Sequence, residues 1–149
     1  MAEQRAAKLP APVTYVATAI VAPDDPDHAA RVEIHRARRD PTWSTIEPGR
    51  DLAGALHRLR GSVLVDSLGS WLAIHDGFAA EVGPLCTALT SREGDTVVVS
   101  EEVGLGVHPS TATGRVFRDA LGEVNVAVAA IADEALLVLA GRVLPLGPA

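Results

Sequence analysis

Four arginines surround one histidine in the stretch RVEIHRARRDPTW, and these residues have the clearest capacity for chemistry. Residues three and four apart on a helix share a face, so several of these side chains form one stripe. A neutral imidazole is a nucleophile toward phosphorus, and guanidinium groups neutralise phosphate charge. The stripe therefore suits a phosphohistidine-type intermediate, and the alternative is a solvated helix with a spectator histidine. Its members are His28, Arg31, His35 and either Arg38 or Arg39.

A second candidate is Asp66, the acid that ends the apolar run SVLVD. Ligands of open parallel sheets bind at the carboxyl ends of the strands. An acid there can hold magnesium, often through water, and it can equally cap the helix that follows. Both interpretations stay open at this point. Two other apolar runs also end at this predicted edge of the sheet. Their last residues, 17–19 and 101–102, are further candidates for ligand contact.

The composition narrows the class of protein. A net charge of −6 argues against non-specific nucleic-acid binding, and one local arginine cluster in an acidic chain indicates a small anionic ligand. The one cysteine, Cys86, excludes an internal disulfide and a cysteine-based metal cluster. We find no signal-peptide core and no run of roughly 18 apolar residues, so we expect no membrane span and a cytoplasmic location.

The elements that must position these residues belong to a single predicted domain, residues 1–149. Apolar runs alternate with segments of helical spacing, which is typical of an α/β fold with a mostly parallel sheet and helices on both faces. The segment 43–49 is predicted to be a loop. Strands are predicted at 13–18, 62–68 and 95–102, with a closing hairpin around residues 141–142. Helices are predicted at 29–38 (after an Asp25 cap), at 52–59, within 77–91 after Pro84, and from a Ser110 cap to about residue 132.

One side of the last helix is predicted to be buried. Its apolar residues recur at the three- and four-residue spacing that places them on one face. They are Val116, Phe117, Leu121, Val124, Val128 and Ile131.

Five blocks along the chain resemble those of a known family. In order they are YVATA, ARVEIHRARR with W-x-T-x-E after it, VLVDSLGSWL, VVVSEEVGLGVHPSTATGRVFRDALGEVN and ADEALLVLAG. Together they resemble adenosylcobinamide kinase/adenosylcobinamide-phosphate guanylyltransferase, the bifunctional enzyme that assembles the nucleotide loop of cobalamin (vitamin B12). The resemblance spans essentially the whole chain. It implies a P-loop NTPase (RecA-like) fold and a homotrimer.

The resemblance also implies two reactions and the residues that carry them. A nucleoside triphosphate, GTP or ATP, phosphorylates adenosylcobinamide. GMP is then transferred from GTP to adenosylcobinamide-phosphate through a guanylylated histidine, which corresponds to His35, giving adenosylcobinamide-GDP. Asp66 corresponds to the Walker-B-like acid, which contacts the nucleotide and holds Mg²⁺ through water. The other implied nucleotide contacts are Ala17, Thr18, Ala19, Arg36, Ala37, Arg38, Arg39 and Glu47.

Two departures from the family stand out. The family has Asn before E-V-G where this chain has Glu101, which adds a negative charge near the expected phosphate region. The family also begins with a strand and the P-loop, and no G-x-x-x-x-G-K-S/T occurs in these 149 residues. The opening MAEQRAAKLP matches the helix that follows that loop. We therefore expect that the natural start lies upstream of Met1, and that residues 1–149 by themselves show little or no GTP-dependent activity.

Two alternatives belong to other classes. A degenerate homologue without catalytic activity could serve as a binding or assembly partner, and an unrelated nucleotide-binding α/β module could share the fold. Incubation with α-labelled GTP separates the enzyme from both, because only the enzyme acquires an acid-labile label that depends on His35.

Overall fold

A four-stranded parallel sheet lies at the centre of the computed structural model, which describes residues 1–19, 36 and 39–147. The strands pair in the spatial order β2-β1-β3-β4, and the register aligns Ala17, Asp66 and Val99 at one edge. This arrangement confirms the predicted parallel α/β sheet. The strands are β1 (Val13–Ala17), β2 (Ser44–Ile46), β3 (Ser62–Asp66) and β4 (Thr96–Val99).

Both faces of the sheet are covered by helices. On one face, α1 packs with Tyr15 and Leu64 around its buried Ala6. The other four helices of the described residues pack on the opposite face, where Val16 and Val65 contribute to the larger core. Because side chains alternate between the faces of a strand, the apolar runs of β1 and β3 supply both cores at once. The helices are α1 (Ala2–Ala6), α2 (Leu52–Arg58), α3 (Leu68–Ala73), α4 (Val82–Ser91) and α5 (Ala112–Ile131), with a short 3₁₀ turn at Asp76–Phe78.

The long helix α5 differs from its prediction at its start and along its buried side. Thr111, not Ser110, is the N-cap, and its side chain accepts a hydrogen bond from the Gly114 N–H at 3.1 Å. Leu121 and Val124 are buried and Phe117 and Val128 partly so, whereas Val116 and Ile131 are 51% and 38% exposed. A 20-residue helix is about 30 Å long, and a five-residue strand is about 17 Å long. The sheet and its helices therefore cover only the middle of α5.

Several boundaries also differ from prediction. The segment 43–49, predicted as a loop, contains β2, because pairing with β1 stabilises three residues that are too few to show a period. Strand β3 ends at Asp66, since Leu68 already belongs to α3, and α4 begins at Val82, before Pro84. Strand β4 is shorter than predicted and half-buried along its length. The predicted helix at 29–38 and its Asp25 cap lie outside the described residues, except Arg36, which has helical backbone.

The predicted closing hairpin is confirmed, as a separate two-stranded sheet. Strands β5 (Ala135–Leu139) and β6 (Arg142–Leu146) are antiparallel and pair Leu137 with Leu144. Gly141 turns the chain with a φ of +72°, a conformation that glycine adopts without strain. Across the described ranges 1–19 and 39–147, no helix has both the length and the apolar character that a membrane crossing requires.

Candidate functional site

The carboxylate of Asp66 stands at the carboxyl edge of the sheet, where β1 and β3 end side by side. The hydroxyl of Tyr15, in β1, donates a hydrogen bond to Asp66 Oδ2. Tyr15 is 1% exposed, and burial, together with the bond to Asp66 and its negative charge, raises the pKa of the Tyr15 phenol above its ordinary value. The phenol therefore stays protonated at neutral pH and acts as a donor to the acid.

Arg39 reaches the same place from the arginine-rich segment. Its guanidinium carbon lies 3.5 Å from the centroid of the Tyr15 ring, which is a cation–π contact. Its Nε is buried and has no hydrogen-bond partner among the residues described. Tyr15 thus joins two groups that the sequence predicts separately, the arginine cluster and the strand acid. Sequence reasoning missed Tyr15, although a phenol inside a buried apolar strand needs a polar partner and could have indicated it.

The turn after β3 supplies the N-cap of α3. Ser67 is the N-cap, and its Oγ accepts a hydrogen bond from the Ser70 N–H at 3.3 Å. The interpretation of Asp66 as the cap of this helix is therefore wrong. Its carboxylate accepts a hydrogen bond from Tyr15, and its carbonyl accepts one from the Thr18 N–H at 3.2 Å.

Glu101 fixes that turn from the end of β4. Its Oε1 accepts a hydrogen bond from Ser67 Oγ at 2.6 Å, and its Oε2 accepts one from the Gly69 N–H at 3.0 Å. A Cβ at position 69 would displace this carboxylate from its present position. Asn125 of α5 donates to the Glu101 carbonyl at 3.0 Å and holds its backbone. The acid that departs from the family pattern is therefore engaged by the protein's own donors.

The predicted nucleotide contacts at the end of β1 are close to Asp66. The Thr18 side chain is buried and donates to the Ser67 carbonyl at 2.6 Å, so it ties the end of β1 to the turn after β3. Ala17 and Ala19 on either side are half-buried. Because the Thr18 hydroxyl and N–H are used within the protein, a nucleotide at this edge would meet the backbone around residues 17–19.

Glu47 stands at the same edge, one residue after β2 ends. Arg36 NH2 lies 3.7 Å from Glu47 Oε1, and both side chains are more than half exposed. The described part of the predicted site is therefore gathered along the ends of β1, β2 and β3. The remaining predicted residues, His35, Ala37 and Arg38, lie outside the described residues, as do His28 and Arg31.

The described residues fit a magnesium ion that is held by one carboxylate through water. Within 1–19 and 39–147, no group of three or more metal-ligating side chains comes together. Mg²⁺ usually keeps several waters and is held by one or two carboxylates together with substrate phosphates. The single carboxylate of Asp66 matches that arrangement, with contact through water and the rest of the shell supplied by a nucleotide.

Known proteins match this chain over nearly its whole length. The family model described as "Cobinamide kinase / cobinamide phosphate guanyltransferase" matches residues 1–146. The bifunctional adenosylcobalamin biosynthesis protein CobP of Pseudomonas aeruginosa is 32% identical over 155 residues, which cover 98% of this chain and 88% of the relative. The proteins named CobU of Escherichia coli and Salmonella typhimurium are 30% and 31% identical over 151 residues, 87% of this chain and 82% of each relative. The match includes every residue gathered at the carboxyl edge of the sheet.

Proposed function

The chain belongs to the cobinamide kinase/cobinamide phosphate guanyltransferase family, and from that membership we propose that it acts in adenosylcobalamin biosynthesis. Its central reaction is the transfer of GMP from GTP to adenosylcobinamide-phosphate, and its second is the phosphorylation of adenosylcobinamide. Three relatives carry the name bifunctional adenosylcobalamin biosynthesis protein, which supports this role.

One observation carries the proposal furthest, the meeting of Arg39 with the Tyr15–Asp66 pair at the carboxyl edge of the sheet. A guanidinium and a carboxylate at this edge are complementary to a nucleotide and its cation, since the first attracts phosphate and the second attracts Mg²⁺. Arg36 and Glu47 add a second cation and anion at the same edge. A solvated helix with unrelated arginines would not place one of them against the tyrosine that bonds to the strand acid.

The guanylyl transfer follows from the residues assigned to it. An imidazole nitrogen of His35 attacks the α-phosphorus of GTP, and the bond from that phosphorus to the β-phosphate oxygen breaks, releasing pyrophosphate. A phosphate oxygen of adenosylcobinamide-phosphate then attacks the same phosphorus and frees the imidazole, giving adenosylcobinamide-GDP. Arg36, Arg38 and Arg39 neutralise charge that develops on the phosphoryl oxygens. When bound, Mg²⁺ would supply further charge neutralisation on the phosphates, beside Asp66.

Two parts of the proposal rest on family membership. The kinase reaction uses GTP or ATP as phosphoryl donor, and the protein assembles as a homotrimer. Sedimentation equilibrium tests the assembly, with a particle of three times the mass of one chain as the expected result. A monomer at all protein concentrations would contradict it.

The test of guanylyl transfer uses protein from cells that carry the gene with its natural upstream sequence, so that the natural start of translation is used. After incubation with GTP labelled at the α-phosphate, the protein is expected to carry an acid-labile label and to release pyrophosphate. His35→Ala is expected to abolish the label. His57→Ala is the matched control, because His57 lies on α2, and it is expected to label like the wild type.

The other outcomes of the labelling experiment contradict the assigned nucleophile or favour a non-catalytic protein. A label that persists in His35→Ala contradicts the assignment of the nucleophile. Wild-type protein that binds GTP but never acquires label supports the non-catalytic binding partner. The same assay on residues 1–149 alone tests the expectation that these residues have little or no activity by themselves.

A further inference from the structure

Tyr15 occupies an unusual position for a core aromatic residue. It is the only tyrosine of the chain, it lies in the middle of β1, and its side chain is almost completely buried. Its ring carries the Arg39 guanidinium on one face, and its hydroxyl donates to the Asp66 carboxylate. One side chain thus contacts the two charged groups that the proposed function assigns to phosphate and to the cation.

We propose that Tyr15 is a positioning residue that orients Asp66 toward the nucleotide-bound cation and Arg39 toward the phosphates. This inference rests on the proposed function, since it assigns a role within that same site. Tyr15 contacts neither substrate nor cation, and it acts through its two partners.

The hydroxyl accounts for the orientation of the acid. A carboxylate turns readily about its last torsion, and a donor on one oxygen selects one orientation. Because the phenol is neutral, it holds Asp66 Oδ2 without placing a positive charge beside it, as an arginine or lysine would. The negative charge that attracts a divalent cation therefore remains, and Oδ1, which takes no part in the bond to Tyr15, would accept from the water shell of that cation.

The ring accounts for the position of the arginine. A guanidinium stacked on an aromatic face is held through its flat surface, and N–H groups in its plane can still donate to a ligand. Such donors match phosphate oxygens in a two-pronged geometry. A phenylalanine at position 15 would provide the same stacking and core packing without the hydroxyl, which separates the two roles.

The test measures binding, with a GTP analogue whose α,β-bridging oxygen is replaced by methylene so that no transfer occurs. Calorimetry with EDTA gives the affinity for the analogue alone, and electron paramagnetic resonance gives the affinity of Mn²⁺ for the protein–analogue complex. Tyr15→Phe is expected to lower the Mn²⁺ affinity about tenfold and to leave the affinity for the analogue in EDTA unchanged. Tyr15→Leu is expected to lower both the Mn²⁺ affinity and the affinity for the analogue. The expected loss of affinity for the analogue is about fivefold.

A double-mutant cycle separates positioning from general disruption of the core. In an Asp66→Asn background, Tyr15→Phe is expected to cause no further loss of Mn²⁺ affinity, because the two residues act as one unit. Val13→Ala is the matched control, since Val13 lies in the same core cluster and strand as Tyr15. It is expected to lower stability while leaving both affinities unchanged.

The outcomes distinguish this inference from the proposed function. If the wild type binds both ligands and Tyr15→Phe binds Mn²⁺ equally well, the positioning role is wrong and the proposed function stands. Additive losses in the cycle would also overturn it. If the wild type does not bind the analogue, the proposed function fails and this inference fails with it. Should Tyr15→Leu not fold, Tyr15→Phe and the cycle still decide the question.

Discussion

The two ends of the parallel sheet each hold a charged side chain, and they use it differently. At the amino end, Arg92 is 9% exposed and donates to the carbonyls of Gly61, Gly94 and Asp95 and to the Thr96 hydroxyl, at 2.6–3.2 Å. At the carboxyl end, the Asp66 carboxylate is half-buried and accepts a hydrogen bond from Tyr15. Four hydrogen bonds from its two terminal nitrogens tie Arg92 to its own fold, although its Nε is buried without a partner in the described part of the chain. The Asp66 carboxylate is held by the single bond from Tyr15 that the described residues supply.

The amino end also requires close approach of two loops. Gly94 has a φ of +99°, and a Cβ there would collide with the Gly61 carbonyl. Arg92 bridges this approach, and burial lowers the pKa of its guanidinium from the ordinary value. The comparison teaches that a charge held by several bonds to the backbone around it indicates a structural role, whereas a charge with one bond at the carboxyl end of a strand is the better candidate for binding.

The largest expected effect comes from removing the charge at the amino end. Arg92→Ala removes four hydrogen bonds and the packing of a buried side chain that ties the loops at Gly61 and Gly94 together, so it is expected to lower the free energy of unfolding by about 3 kcal/mol, measured by urea denaturation. The nucleotide affinity of the folded protein should not change. Arg58→Ala is the control, because the Arg58–Asp51 pair is exposed, and a change below about 1 kcal/mol is expected. Equal effects of the two substitutions would contradict a structural role for Arg92.

At the carboxyl end we expect a large loss of activity and only a small loss of stability. Asp66→Asn keeps an oxygen that accepts from Tyr15 but removes the charge, so guanylyl transfer is expected to fall on the order of 100-fold, about 2.7 kcal/mol in barrier. Unfolding by urea should shift by less than about 1 kcal/mol. Glu93→Gln, an exposed acid at the amino end, serves as control and should retain activity. A large loss of stability with intact turnover would remove the contrast between the two ends.

A third prediction uses the raised pKa of the Tyr15 phenol. The unfolded chain loses its tyrosine proton near the ordinary pKa of about 10, while the folded chain retains it because the phenol is buried. Above that pH the unfolded state binds fewer protons, so the stability due to Tyr15 declines by about 1.4 kcal/mol per pH unit until the folded pKa is reached. Below pH of about 10 this contribution is fully present.

Urea denaturation at a series of alkaline pH values measures this decline. Tyr15→Phe is the control, because the chain has a single tyrosine and the variant has none to titrate. The wild type should lose stability more steeply than the variant. Parallel curves would show that burial does not hold the Tyr15 proton.

The smallest expected effect concerns the first turn of α5, which has no predicted part in binding. Thr111 caps α5, and Thr111→Ala is expected to lower the free energy of unfolding by about 1 kcal/mol without changing activity. Thr111→Ser should restore the cap. Ser110→Ala should have almost no effect, and a larger effect at Ser110 than at Thr111 would place the cap where the sequence pattern predicts it.

Much of the fold could be predicted because it depends on local patterns. The apolar runs of β1 and β3, the helical spacing of α2 and the hairpin turn at Gly141 all show in short windows of sequence. The position of Asp66 at a strand end follows from the same pattern. The segment β2 could not be predicted this way, since its three residues become a strand only through pairing with β1.

The contacts of the site could be predicted only in part. The sequence placed residues 17–19 and Asp66 at one edge, and the described structure agrees. Glu47 reaches that edge through β2, a strand that the sequence did not predict. The pairing of Tyr15 with Asp66 and of Ser67 with Glu101 joins residues 51 and 34 positions apart. No periodicity connects such distant positions, and both pairs depend on the alignment of neighbouring strands.

By itself the sequence determined the parallel α/β class, most of the elements in their order, the family, and the acid that ends β3, because each is encoded in residues close along the chain. The tertiary structure alone decided that Ser67 caps α3, that Glu101 turns toward that cap, and that Tyr15 stands between Arg39 and Asp66. The physical reason is that a side chain's partner is set by strand register and helix packing. The same acid at the end of the same strand would meet a different donor if β1 were shifted by one residue, since the slip would turn Tyr15 to the other face of the sheet.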